Sequence, residues 1–505
     1  MSKTSGRILV FLLSLALMLA SAACSEKVPD ASSSPGEGGD SHDSTESTLS
    51  YGGVIGGNSG SVSSRSDTSL PGTGYQKQST VNVSSYDQMK DLPNYKVTNK
   101  TLKLFVGVEK SLDDYLSRNP DVPGAFELCA SKYGMKFELI HCDYNEWYTK
   151  LQALKASKQM PDVMWPDPQT FPKDIALGII QPLNQYFDFG DAVWSNTKKY
   201  MDLYKWNGKY YHAIISSGQQ IDPVFYNPKI FKANGLPTPT ELMESNEWTW
   251  AKMKELAIAL TQDTDDDGKI DQWGIGGLLW LPLACSTGKP IVTVNGTDVK
   301  INLDDPVFAQ CADYIYSLGP KGLNVVKSFG HENADLFVKG QVAMDVGAQW
   351  RAQTTYKDMW YKGEIAVAFF PKAPGVDKYY ANGYPNCLVM LDGAKNVEGA
   401  KAFIYASKYV TSDAFQKANK GKAKNPYEYL YSYIPGLTDA QAKQIYSVWD
   451  NSYPYNMNTW IGWFGTWDNG LQYAHEKKWS TILAIQKPLY ESTINDYLNK
   501  LAKIK

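Results

Sequence analysis

Past its first two dozen residues the chain contains no long apolar run, so nothing in it reads as a membrane-spanning bundle, which needs about 20 apolar residues per span. Histidine is scarce, at 5 residues, and no metal triad stands out among them. HExxH, GxSxG and P-loop patterns are missing, which removes the common signatures of zinc hydrolysis, a serine nucleophile elbow and a phosphate cradle. Lys and Arg are scattered and the net charge is −3, so no basic stripe addresses a nucleic-acid backbone. Cysteine is sparse. Apart from Cys24 there are Cys129, Cys142, Cys285, Cys311 and Cys387, an odd and widely spaced set that fits buried thiols with at most one or two bridges. No internal repeat is visible.

What is present begins with length. A chain of 505 residues exceeds the roughly 250–300 that one core supports, so two lobes plus appendages are expected. Lys3 and Arg7 precede a Leu-rich stretch from Ile8 to Ala20, and Ser21, Ala22 and Ala23 are small, which reads as a signal peptide over 1–23. Cys24 then precedes a polar tract, and the arrangement resembles the lipobox of bacterial lipoproteins. One departure is that Ser21 stands where that pattern prefers Leu. Lipidation at Cys24 would anchor the chain to the outer face of the cell membrane. Residues 24–95, rich in Ser, Gly, Asp and Thr, cannot bury enough apolar surface to offset their ordering entropy and are expected to form a flexible tether.

Order is expected from Thr101. Leu102, Leu104, Val106 and Val108 alternate as a strand, Ala125 to Tyr133 reads as a helix, and Phe137 and Leu139 open a second strand. Asp143 and Glu146 have capping-box spacing before Trp147, Leu151 and Leu154. Thr249 can cap a helix carrying Trp250, Met253, Ala257 and Leu260, and Asn396 one carrying Ala400, Phe403 and Ile404. Strands alternating with helices predict an α/β protein, each sheet flanked by helices.

Several segments occur in a characteristic order: MPDVMWPDPQTF and GIIQPL (Met160 to Leu183), WNGKYYHAI (Trp206 to Ile214), FYNPKIFKANGLPTP (Phe225 to Pro239), FVKGQVAMDVGAQW (Phe337 to Trp350), and AKNVEGAKAFIYASKYVTS. In that order they resemble the family 1 extracellular solute-binding proteins, the sugar-binding group that includes maltose-binding protein. The resemblance implies a type II-like two-lobe periplasmic-binding-protein fold with discontinuous lobes joined by hinge segments. Lobe one would comprise 100–220 and 371–430, lobe two 221–370 and 431–505, with crossings near Ile215–Tyr226, Phe369–Pro374 and around Tyr433–Asp439. It also implies a monomer that captures a carbohydrate in an interlobe cleft and delivers it to the permease of an ABC transporter, with no required cofactor.

Pyranose C–H faces pack on aromatic rings, and hydroxyls pair with amides and carboxylates. The residues the resemblance turns toward the cleft are Trp165, Asp167, Asp345, Gln349, Trp350, Asn382, Tyr384, Asn458, Trp460 and Trp463. A second constellation, DTDDDGKID, places Asp263, Asp265, Asp267, the Lys269 carbonyl and Asp271 at EF-hand spacing with Gly268 at the sixth position, so a structural calcium is the expected ion. Its twelfth position is Gly274, where a bidentate Glu belongs. His212 and His475 are isolated and read as structural. Two other readings share the export signal, aromatics and acids: a secreted glycoside hydrolase or lyase, and a surface glycan receptor without a permease.

Overall fold

The computed structural model describes residues 87–107, 122–143, 146–166, 171–220, 222–380, 384–419 and 471–504, together with Leu112, Asp439, Lys443 and Trp460. The expected signal peptide, Cys24 and the expected tether as far as residue 86 lie outside these residues.

Fourteen strands are described: β1 (Thr101–Gly107), β2 (Lys136–Cys142), β3 (Val163–Met164), β4 (Lys205–Trp206), β5 (Lys209–Tyr210), β6 (Ala213–Gln220), β7 (Val224–Tyr226), β8 (Trp273–Leu278), β9 (Val292–Asn295), β10 (Asp298–Ile301), β11 (Val326–Phe329), β12 (Val342–Val346), β13 (Ala366–Ala368) and β14 (Tyr384–Met390). Two five-stranded sheets organise them, ordered β2-β1-β3-β14-β6 in lobe one and β11-β8-β12-β7-β13 in lobe two. In each sheet three strands run parallel, and the strands that pass between lobes join antiparallel. The chain leaves lobe one at the end of β6 and enters lobe two at β7; it returns between β13 and β14. The return comes later than Phe369–Pro374. Lys372 still exchanges backbone bonds with Trp248 and Trp250 in lobe two. The third crossing lies outside the described residues, and the Trp479–Leu501 helix, expected in lobe two, touches elements of both lobes.

Local signals account for much of this frame. The helices at Ala125–Tyr133 and Val397–Tyr409 lie on lobe one, where Phe403 meets Phe126 at 4.8 Å and Phe137 at 5.5 Å between ring centroids. Asn396 caps the second helix, its Oδ1 accepting the Gly399 N–H at 3.0 Å, and its Nδ2 donates to the Asn99 and Thr101 carbonyls, so one cap also fastens β1. Such a cap contributes about 1 kcal/mol. Thr249 likewise caps Trp250–Ala259. The Asp143/Glu146 box does not form, because Glu146 itself occupies the N-cap of Trp147–Ala156 without a side-chain bond.

Order starts earlier than Thr101. Asp87–Asp91 is a 3-10 turn, Leu92 is buried, Lys132 Nζ donates to the Met89 and Leu92 carbonyls, and Tyr133 Oη donates to the Pro93 carbonyl. The end of the expected tether therefore belongs to the fold, held by polar groups that composition does not reveal. All five described cysteines are buried, and none is assigned to a disulfide.

Candidate functional site

In open α/β sheets, ligands settle outside the carboxyl ends of the parallel strands. Those ends are Gly107, Cys142 and Met164 in lobe one, and Leu278, Phe329 and Val346 in lobe two. Trp165 follows β3 directly. Half-buried, it donates its indole Nε1–H to Asn386 Oδ1 at 2.6 Å and sets its edge against Phe403 at 6.1 Å. Asn386 was not among the residues singled out in the sequence. The signal was the alternation of β14, where Asn386 is exposed between buried Pro385 and Cys387.

In lobe two, β12 is buried along all five residues and leads through Gly347 and Ala348 into a 3-10 turn, Gln349–Gln353. Gln349 is half-buried, and its Oε1 is enclosed without a donor among the described residues. A buried amide oxygen in that state costs about 1–3 kcal/mol until a donor arrives, which a solute hydroxyl would supply. Trp350 stands in the same turn and Tyr384 opens β14, but both side chains lie outside the described residues, as do Asp167, Asn382, Asn458 and Trp463.

Two expected ligand-facing residues are placed elsewhere. Asp345 has 0% exposure; its Oδ1 accepts the N–H groups of Gly277 (2.7 Å) and Asn333 (2.9 Å), and its Oδ2 accepts the Tyr356 hydroxyl (2.9 Å). Burial pushes its carboxyl up to about 7, against the lowering effect of those bonds. Asp345 joins three elements inside lobe two and has no surface to offer a solute. Trp460 is 1% exposed, its ring 5.3 Å from Trp206 and 6.1 Å from Phe171. It belongs to an aromatic cluster and lines a cavity of about 330 Å³ between Asn207 and Gly208 on the β4–β5 hairpin and Val292, Val294 and Gly296 on the β9–β10 hairpin. A larger hollow, about 640 Å³, is walled by residues 184–190 with Lys198 and Tyr210, none of which follows β1, β2 or β3. Lys198 is already engaged there with Asp202 and the Tyr210 hydroxyl. The strand ends remain the better candidate.

The family model for bacterial extracellular solute-binding proteins matches residues 130–417, more than half of the chain. The chain belongs to this family. A search of curated protein sequences gave no match. Among solved structures, this solute-binding protein is similar to an ABC substrate-binding protein from Listeria monocytogenes in complex with cycloalternan (17% identity, 78% of this chain and 98% of that one, TM-score 0.54). It is also similar to UspC of M. tuberculosis (14%, 78% and 100%, 0.55) and to the sugar-binding protein MalE from Xanthomonas citri (14%, 80% and 98%, 0.52). The shared architecture is the two-lobe periplasmic-binding-protein fold, and the family is extracellular. None of the described helices is long and apolar enough to cross a membrane.

The acidic loop of this solute-binding protein is only partly an EF-hand. Carboxylate oxygens of Asp263, Asp265 and Asp267 lie within 4.8 Å of one another, and Gly268 takes the left-handed conformation (φ +86°) the turn needs. Asp271 is not with them: its Oδ2 accepts the Thr264 hydroxyl and N–H, and these bonds hold its carboxyl below the ordinary value. At Gly274 a Cβ would stand 2.2 Å from the Ala257 carbonyl oxygen, so no side chain can enter at the twelfth position. Lys269 Nζ pairs with Asp267 at 2.7 Å, where a cation would compete with it.

Proposed function

We propose that this solute-binding protein captures a carbohydrate between its two lobes and hands it to an ABC-transporter permease, as a monomer held to the membrane through lipidated Cys24 and without chemical turnover. One observation carries the reading. An indole fixed by an amide ends β3 in lobe one, while a turn bearing a donor-less amide oxygen follows β12 in lobe two, the flat-face and hydroxyl-partner pair a sugar requires. The cycloalternan held by the Listeria protein and the sugar-binding description of MalE support it. A thermal-shift panel of cycloalternan, maltotriose, cellotriose and xylotriose, with product analysis, tests it. A saturable rise in midpoint with intact sugar is expected, since ligand stabilises only the bound form. Released fragments would favour the hydrolase reading, and no response to any glycan would remove the carbohydrate assignment.

Trp350→Ala is expected to weaken sugar binding by about 1.5 kcal/mol, roughly tenfold, through lost stacking and burial. Titration calorimetry showing equal affinity would take Trp350 out of the site.

We also propose that the Asp263–Asp267 loop takes a calcium ion in a structural role, with water completing its shell. Calcium at about 100 times its Kd would add about 2.7 kcal/mol, visible as a raised unfolding midpoint over chelator. Magnesium at equal concentration, or calcium with the Asp263→Asn/Asp267→Asn double variant, should give no rise; a midpoint insensitive to calcium in the unmutated chain ends the proposal.

A further inference from the structure

The described residues include one arginine, Arg351, immediately after Trp350. Its Nε donates to Glu332 Oε1 at 2.5 Å, its Nη2 contacts the same oxygen, and its Nη1 reaches Thr355 Oγ1 at 3.3 Å. The Glu332 side chain is only 8% exposed. A guanidinium can hold two partners in one plane where an ammonium cannot, so the residue type matters at this position.

Glu332 lies in the connection between β11 and the Ala334–Val338 helix, and that connection is pressed onto its neighbours. A Cβ on Gly277 would come within 2.4 Å of the His331 carbonyl oxygen and 2.5 Å of Glu332 Cα, and one on Gly347 within 3.0 Å of Glu332 Cβ. Only glycine permits the approach at 277, and at 347 a side chain would be tight against Glu332. Beneath them, Asp345 takes the N–H groups of Gly277 and Asn333 and the Tyr356 hydroxyl. Tyr356 packs on Phe225 and Phe337, and Trp360 Nε1 donates to the Ala352 carbonyl, which closes the turn from below. The end of β8 and the loops that follow β11 and β12 are thereby bound into one unit.

We infer that Glu332 and Arg351 are positioning residues for the solute: their ion pair, seated on the Asp345–Tyr356 bond, holds the Gln349–Gln353 turn in its binding stance before any solute arrives. The inference rests on the reading above that this turn meets the solute. Groups already ordered lose less entropy on binding, so the pair contributes affinity without contact. Beside burial, the charge of Glu332 also raises the Asp345 carboxyl, and Arg351 is the cation paired with Glu332.

The test compares the unmutated chain with R351A, R351K, E332Q and the exchange E332R/R351E, using the panel sugar that gives the largest thermal shift. R351A and E332Q should each weaken binding about tenfold at a temperature well below their unfolding midpoints, with R351K between them and the parent and the exchange variant partly restored. A pair that acts on stability alone would lower the midpoint and leave Kd unmoved, which overturns the inference. If the unmutated chain binds no sugar, the functional reading fails separately, and hydrogen exchange decides the rest. Amides of residues 347–353 should exchange faster in R351K and E332Q than in the parent, and unchanged exchange refutes the role.

Discussion

Asp345→Ala is expected to lower stability by about 3 kcal/mol or more at pH 7, because it leaves two backbone N–H groups and the Tyr356 hydroxyl without their acceptor in a site closed to water. Asp345→Asn should behave oppositely. Its Oδ1 can keep both backbone donors and its Nδ2 can donate to the Tyr356 oxygen, while the buried charge is gone. Burial pushes the folded carboxyl up to about 7 from its ordinary 3.8, so folding favours the protonated acid. Stability is then fully present below about pH 4, falls as pH rises toward 7, and is level above that. The Asn variant lacks this slope. Its advantage over the parent should grow between pH 5 and pH 8 by on the order of 2–3 kcal/mol, measured by urea unfolding at both values. A difference that stays constant across that window would show that Asp345 does not titrate there.

Lys408→Met should stabilise the protein by about 2 kcal/mol at pH 7. Lys408 is fully buried on the Val397–Tyr409 helix, its Nζ donating to Asn196 Oδ1 at 2.5 Å and to the Ile215 carbonyl at 3.2 Å. Burial lowers its ammonium to about 8, only partly opposed by Asp413. Methionine fills a similar volume, and neither former partner is stranded. Ile215 keeps the Thr411 hydroxyl as donor, and Asn196 is exposed, so water can replace the donor to its Oδ1 while its Nδ2 still donates to the Thr411 carbonyl and Asp413. Because the folded amine titrates below its ordinary 10.5, the parent gains stability as pH rises from about 8 to 10.5, whereas the methionine variant does not. The stability gap should therefore narrow in that range. A methionine variant less stable than the parent at pH 7 would mean that the Lys408 bonds outweigh its desolvation. Ile215 lies on β6, the strand that leaves lobe one for lobe two, so this lysine ties the helix layer to the first crossing.

Of the residues the sequence singled out, Trp165 and Gln349 stand just beyond strand ends, whereas Asp345 and Trp460 are enclosed by other parts of the fold. Position after a strand is a one-dimensional property. The side of the sheet that a residue faces is not, when both faces are covered. Every residue of β12 is buried, so alternation carries no mark separating Asp345, turned toward Gly277 and Asn333, from a residue turned to solute. Trp460 met the compositional rule for a stacking platform, but the rings of Phe171 and Trp206 enclose it. In the acidic loop, spacing brought Asp263, Asp265 and Asp267 together and already showed Gly at the twelfth position; the packing of Ala257 against Gly274 adds that no side chain could stand there.

Local chemistry written along the chain was enough to determine the alternating strands and helices, the Thr249 and Asn396 caps, the buried thiols and the family to which the protein belongs. These depend on neighbours within a few residues or on segment order. Which polar groups meet solute and which knit the lobes together was decided only when β8, β11 and β12 were laid side by side. A carboxylate or an indole takes its role from whatever donors and rings stand within about 3–7 Å of it, and those come from residues tens to hundreds of positions away.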